Sequence, residues 1–235
     1  MHACPLRSAG TYSAPLMALP DTRTSQPGWL RQCGTRLTFF WPLKMIGTTL
    51  GMTGFFLAYF WVLRHPLSSP VVMPVTSIDR WIGFCPVALP LYVSLWVYVS
   101  LAPALLNTRR ELFFIGMAAL AMSVIGLGIF LFRPTAVPPA AIDWTHHSAF
   151  AFLKTVDASG NACPSLHVAF ALLAAVWIAR VLRQTGAGLL PRALNWSWCV
   201  GIFYSTVATG QHVVFDVLAG VALGGVIAVV SVRRV

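Results

Sequence analysis

Two strings in the C-terminal third hold side chains that do chemistry: Pro164-Ser165-Leu166-His167, and Ser205 followed by His212 and Asp216. Histidine changes protonation near neutral pH and is a competent nucleophile. A carboxylate beside it accepts the proton of one ring nitrogen and leaves the other free to attack. His212 and Asp216 stand four apart, the spacing that puts two side chains on one helix face. His167 is a second imidazole, suited to protonate a leaving group and then to activate water or an alcohol. Ser165 follows Pro164 and is placed to open a helix whose free N–H groups suit an anionic phosphate. Arg133 offers a planar fork for two phosphate oxygens, and Ser205 adds a hydroxyl. Together these types support phosphoryl transfer through a phosphohistidine. His167, His212 and Asp216 are also a set of side chains that zinc accepts.

Imidazoles and a carboxylate at the edge of a hydrocarbon slab are costly and need a reason to be there. The slab itself is evident from composition. Of 235 residues 57% are hydrophobic and only 9% are charged, against roughly 25% in soluble domains. The chain reads as an integral membrane protein of one domain. Its net charge of +10 is scattered in ones and twos between apolar segments, which argues against a nucleic-acid partner and for loops held on one side of a membrane. The five cysteines (Cys4, Cys33, Cys85, Cys163, Cys199) lack metal-ligand spacing. A Cys85–Cys163 bridge is conceivable, but small buried side chains are the simpler role.

Residues 1–36 are polar, Arg-rich and nearly free of acids. They lack an apolar stretch with a cleavage site and are expected to form a disordered cytoplasmic tail, with the membrane domain at 37–235. Crossing a bilayer takes about 20 helical residues. Six stretches qualify: 43–63, 81–104, 112–132, 166–182, 193–209 and 213–232. The expected fold is all-α and polytopic, with six transmembrane helices.

Counting Lys and Arg sets the orientation. With the N-terminus inside, the inner side holds twelve (Arg7, Arg23, Arg31, Arg36, Lys44, Arg109, Arg110, Arg180, Arg183, Arg192, Arg233, Arg234) and the outer side four (Arg64, Arg80, Arg133, Lys154). Both termini are therefore expected in the cytoplasm. This places Arg133, Ser165, His167, Ser205, His212 and Asp216 together on the outer face, although no histidine entered the count. The long connection 133–165 faces the same way. Its 144–156 stretch, with Trp144, His146 and His147, mixes aromatic, apolar and polar residues as an interfacial helix does.

The polar residues resemble the type 2 phosphatidic acid phosphatase superfamily, whose motifs read K-x-x-x-x-x-x-R-P, P-S-G-H and S-R-x-x-x-x-x-H-x-x-x-D. They stand here as LFRP (131–134), PSLH (164–167) and STVATGQHVVFD (205–216). The resemblance implies six helices, an outward-facing site, catalysis by His212, His167 and Asp216, and no metal or other cofactor. This chain departs from it at three positions. Gly126 stands where the first motif has lysine, Thr206 where the third has arginine, and Leu166 where the second has glycine. Those departures, with the D-x-x-x-N-x-x-P-S-L-H-V run from Asp157 to Val168, resemble the branch that includes inositol phosphorylceramide synthases.

The resulting expectation is a lipid phosphatase in a bacterial cytoplasmic membrane, hydrolysing a lipid phosphate or pyrophosphate on the outer face. Arg133, Ser165 and Ser205 would bind phosphate there. Alternatives are a transferase moving a phosphoryl headgroup to an alcohol, and a relative weakened or inactivated by its missing cations. Lys154 and Asn161 are further candidates for the phosphate, while the lipid and the oligomeric state are left open.

Overall fold

The helices follow the apolar runs of the sequence and stop where glycine, proline or a capping side chain makes them stop. The computed structural model describes residues 27–139 and 160–235. Its helices are α1 (Trp29–Thr38), α2 (Trp41–Arg64), α3 (Ser77–Ile82), α4 (Leu89–Val93), α5 (Leu95–Ala104), α6 (Arg109–Phe132), α7 (Leu166–Gln184), α8 (Leu189–Ala208) and α9 (Val214–Arg233). Among the described residues, five units are long and apolar enough to cross a membrane: α2, Pro86–Ala104, α6, α7 and α9. The chain is an all-helical membrane protein.

Two expected spans come out differently. The 81–104 stretch is not continuous. Gly83, at φ +61°, ends α3 in a conformation that favours glycine. A 3-10 turn over Pro86–Ala88 then leads into α4 and α5, so the apolar unit begins at Pro86 and not at residue 81. The expected span 193–209 is a helix, α8, of 20 residues, but it is not among the five. Arg192, Asn195, Ser197, Ser205 and Thr206 dilute its apolar character. The expected boundary between tail and membrane domain, at 36/37, falls inside α1, because Trp29, Arg31, Gln32 and Cys33 form an amphipathic turn rather than a coil. The interfacial helix expected at 144–156, with Lys154, lies outside the described residues.

α7 is the centre of the bundle. Its buried residues include Ala169, Ala171, Ala174, Ala175 and Ala179, small side chains that let neighbouring helices approach closely. α9 lies along it through Gly220 and Gly224. A Cβ on Gly224 would come within 2.6 Å of the Ala169 carbonyl oxygen, and one on Gly220 would collide with that of Ser165. The small-residue stretch 220–225 thus packs α9 closely against α7. Some polar groups inside the bundle are paired across helices. Asn195 of α8 donates to the Ala175 carbonyl at 3.0 Å and accepts from the Tyr98 hydroxyl at 2.8 Å. Trp177 donates to the Ser231 hydroxyl at 3.1 Å.

A small ribbon covers one end of the bundle. Val71–Val72 pairs in parallel with Thr135–Ala136, and Ala136 bridges Gly160. The Cys163 N–H donates to the Thr135 hydroxyl at 2.7 Å. This ribbon ties the two long connections to the start of α7, which is where the second motif lies. Cys85 and Cys163 are free thiols, so the conceivable bridge is not formed.

Candidate active site

The two histidines, 45 positions apart in the sequence, meet at this end. Their ring centroids lie 5.6 Å apart, edge to face. His167 is in the first turn of α7, and His212 sits in the turn before α9. The Gly220 and Gly224 contacts bring those two helix starts together: the Ser165 N–H donates to the Asp216 carbonyl at 2.9 Å.

His212 is not on the helix that carries Asp216, as their spacing suggests, but two residues ahead of it. The pair forms because Asp216, in the first turn of α9, folds its carboxylate back toward the helix start. Its Oδ2 accepts the Val213 N–H at 3.0 Å and lies 3.5 Å from His212 Nδ1. That separation is beyond a good hydrogen bond, though such contacts commonly tighten when substrate binds. Asp216 is fully buried and its Oδ1 has no hydrogen-bond partner. The His212 backbone N–H is anchored to the Thr206 carbonyl at 3.1 Å. With Nδ1 facing Asp216, Nε2 is the nitrogen left to act.

His167 has a partner that the motifs do not contain. The Tyr92 hydroxyl is 2.7 Å from His167 Nε2, and the two rings stack at 4.8 Å. Trp96 closes on His167 from another side at 5.9 Å. Tyr92 and Trp96 lie on α4 and α5, so the first half of the chain contributes a wall to a site whose motifs all lie in the second. No local spacing signals Tyr92, since an aromatic within an apolar run is indistinguishable from core.

Asp79 is a second contributor from the first half. Its Oδ2 accepts from the Thr76 N–H and hydroxyl, and Thr76 Oγ1 accepts the Asp79 N–H in return. Its Oδ1 reaches across to accept the Val214 N–H at 2.8 Å. The Thr-x-x-Asp spacing of a capping box was a readable signal for α3; the reach to α9 was not. The consequence is specific. Asp216 and Asp79 take the Val213 and Val214 amides at the start of α9. At the start of α7, Ser165 takes only that of Val168, at 3.3 Å.

The expected phosphate ligands fare unequally. Ser165 is the buried N-cap of α7. The Ser205 hydroxyl, fully buried, donates to the Ile202 carbonyl at 2.7 Å, so its proton is committed to its own helix. Arg133 caps α6 and is exposed, with no side-chain ion pair or hydrogen bond among the described residues. Among the described residues, two amides at this end are buried without partners: Asn161 Nδ2, on a residue at φ +59°, and Gln211 Nε2. Burial and then the Asp216 charge push the Cys163 thiol up, which keeps it protonated and a poor nucleophile.

The family model of the PAP2 superfamily matches residues 110–235, just over half of the chain. The chain belongs to the PAP2 superfamily. No curated protein and no solved structure matches it. Members of this superfamily are phosphatases or phosphotransferases, so phosphoryl-transfer chemistry follows for this chain at that level.

Two of its departures from the superfamily motifs are a single packing change. Gly126 lies directly under Leu166: a Cβ at 126 would come 2.5 Å from Leu166 Cδ2. The leucine that replaces the motif glycine fills the space that a side chain at the motif lysine position would need. Restoring the lysine alone would force the Leu166 side chain to shift, so the two departures are coupled through the α6–α7 contact.

Proposed function

We propose that this PAP2 protein is a lipid phosphatase working through a phosphohistidine. The observation that carries the reading is the convergence of His167 and His212, with Asp216 behind the latter, where the start of α7 offers the Leu166 and His167 amides to an anion. Nε2 of His212 forms the N–P bond as the P–O bond to the lipid breaks. His167, oriented by Tyr92, gives its proton to the departing oxygen, and the lipid alcohol leaves. His167 then takes a proton from water as the water oxygen attacks phosphorus. The N–P bond breaks, releasing phosphate and neutral His212. Asp216 holds the His212 Nδ1 proton and the charge that builds on the ring. Ser165 fixes the start of α7, and Arg133 swings in as the phosphate cation.

The charge count supports an extracytoplasmic site with both termini in the cytoplasm of a bacterial cell, and α8 as a sixth span. The partners are then the bilayer and a lipid phosphate presented from its outer leaflet.

The Leu166–Gly126 contact favours a second reading. With the lysine position closed, fewer cations are available to neutralise a dianionic monoester. A singly charged phosphodiester is a better match, so transfer of a phosphoryl headgroup to an alcohol, as in the branch resembling inositol phosphorylceramide synthases, uses the same residues.

The test is incubation of purified protein with phosphatidate labelled in its phosphate. Acid-labile label should appear on wild type and be absent from His212→Ala; equal label on both removes the phosphohistidine. A phosphodiester lipid with an added alcohol distinguishes the second reading by formation of a new lipid.

A further inference from the structure

The end of the bundle away from the histidines is built of different chemistry. The 24 residues of α6 separate the two ends by about 36 Å at the helical rise. At this far end α1 and the α5–α6 turn bound a cavity of about 670 Å³ lined by Arg31, Gln32, Thr35, Arg36, Phe39 and Asn107, among others. Its polar lining is dominated by donors, two guanidinium groups and two side-chain amides, while the Thr35 hydroxyl donates to the Arg31 carbonyl at 2.9 Å.

Among the described residues, no carboxylate neutralises the positive charge there. Arg36 reaches only the Asn107 side-chain oxygen, at 3.4 Å, and neither Arg31 nor Arg36 has a carboxylate partner among the described residues. The neighbouring acid is committed elsewhere. Glu111 is buried, lies 3.8 Å from Arg180 and accepts the Asn107 N–H at 3.3 Å. Lys44 holds the wall together from beneath, giving Nζ hydrogens to the Arg36 carbonyl at 2.7 Å and the Ala104 carbonyl at 2.8 Å. A buried ammonium so placed fixes α1 against α5 and adds its charge below the cavity.

The apolar residues of α1 say at what depth the cavity lies. Trp29 and Cys33 pack on the core, while Leu30 and Leu37 stay exposed, as do Phe39, Trp41 and Leu43 beyond them. A short helix with guanidiniums on one side and exposed leucines on the other has the pattern of helices that lie in the plane of a membrane interface. Headgroup phosphates are found at that depth.

We infer that this cavity binds the phosphate of an anionic phospholipid headgroup, as a site separate from the phosphoryl-transfer site. Planar guanidiniums take phosphate oxygens two at a time, and the Asn107 side-chain amide, whose oxygen already accepts from Arg36, is placed to add a further donor. Phe39, which lines the cavity and stays exposed, gives it an apolar rim that contacts the acyl chains of the same lipid. Free inorganic phosphate shares the headgroup chemistry but has no use for the apolar rim. The inference needs none of the catalytic steps above and stands or falls apart from them.

Native mass spectrometry of the full chain in detergent, with equimolar phosphatidylglycerol and phosphatidylcholine, provides the test. Wild type should retain phosphatidylglycerol preferentially, and Arg31→Gln/Arg36→Gln should reduce that preference at least about fivefold, as loss of charge near anionic lipid predicts. Arg183→Gln, at the same end but outside the cavity lining, should keep it. Arg31 is exposed and makes no side-chain bond among the described residues, so Arg31→Gln alone carries the test if the double variant does not fold. Unchanged preference in the cavity variants overturns the inference. So does an equal loss in Arg183→Gln, which would mean a diffuse field. Displacement of the lipid by millimolar inorganic phosphate would reassign the cavity to the free anion and overturn it likewise.

Discussion

α7 and α2 are both apolar helices long enough to cross a membrane, yet they are opposites in the folded chain. Twelve residues of α7 are buried, while α2 buries only Lys44 and Val62. α7 is faced by α5, α6, α8 and α9, and α2 turns Leu50, Leu57 and Trp61 outward. In a bilayer, apolar character does not separate inside from outside, because lipid is as apolar as a protein core. What a small residue packs against does. The alanines of α7 and the glycines of α9 meet a neighbouring helix, whereas Gly47, Gly51 and Gly54 of α2 face open space beside the exposed Leu50, Leu57 and Trp61. The site was built at the small-residue seam.

The contrast can be broken most severely at the seam's chemical end. His212→Ala should lower turnover of the lipid phosphate by on the order of 10³-fold or more, as loss of a nucleophile does; an assay of phosphate release reads it. Next is the seam itself. Gly224→Leu drives a side chain into the Ala169 backbone and should destabilise by about 1–3 kcal/mol or more, lowering the melting temperature in detergent. Leu57→Ala on the outer face of α2 should stay within about 0.5 kcal/mol of wild type. If the two substitutions cost the same, the distinction between seam and surface is wrong.

Smaller effects test the contributions of the first half. Tyr92→Phe removes the hydroxyl from His167 and should cost roughly tenfold in kcat, the scale of one hydrogen bond to a group that becomes charged, with KM little changed. Asp79→Ala frees the Val214 N–H and should cost about 1 kcal/mol, as loss of an N-cap does. The smallest effect concerns Cys163. Since burial and Asp216 raise its thiol pKa, thiolate is scarce at neutral pH and grows about tenfold per pH unit until that pKa is reached. Alkylation of a variant keeping only Cys163 should be slow at pH 7 and accelerate with pH, and Cys163→Ser should leave turnover within about twofold of wild type.

Much of this was legible in the chain. Apolar runs located α2, α6, α7 and α9 to within a few residues, because a run of such length has few other stable uses. His212 and Asp216 were legible as a pair through their spacing. The geometry that pairs them was not, since a helix that starts at Val214 replaces face-sharing with a carboxylate folded back on its own first turn. The hydrogen bond of Ser205 was not legible for a related reason: a hydroxyl in a buried helix satisfies itself on the preceding turn. Tyr92 and Asp79 contribute through contacts between segments 75 and 135 positions apart, which leave no trace in local pattern.

By itself the sequence determined a membrane protein of the PAP2 superfamily and named its histidines, because hydrocarbon excludes unpaired polar groups and few placements tolerate them. Only the tertiary structure decided that His167 leans on Tyr92, that Asp79 occupies the start of α9, and that Leu166 fills the place of an absent lysine. Those outcomes depend on which helix faces are pressed together, and close packing between helices is a property of the whole bundle rather than of any one segment.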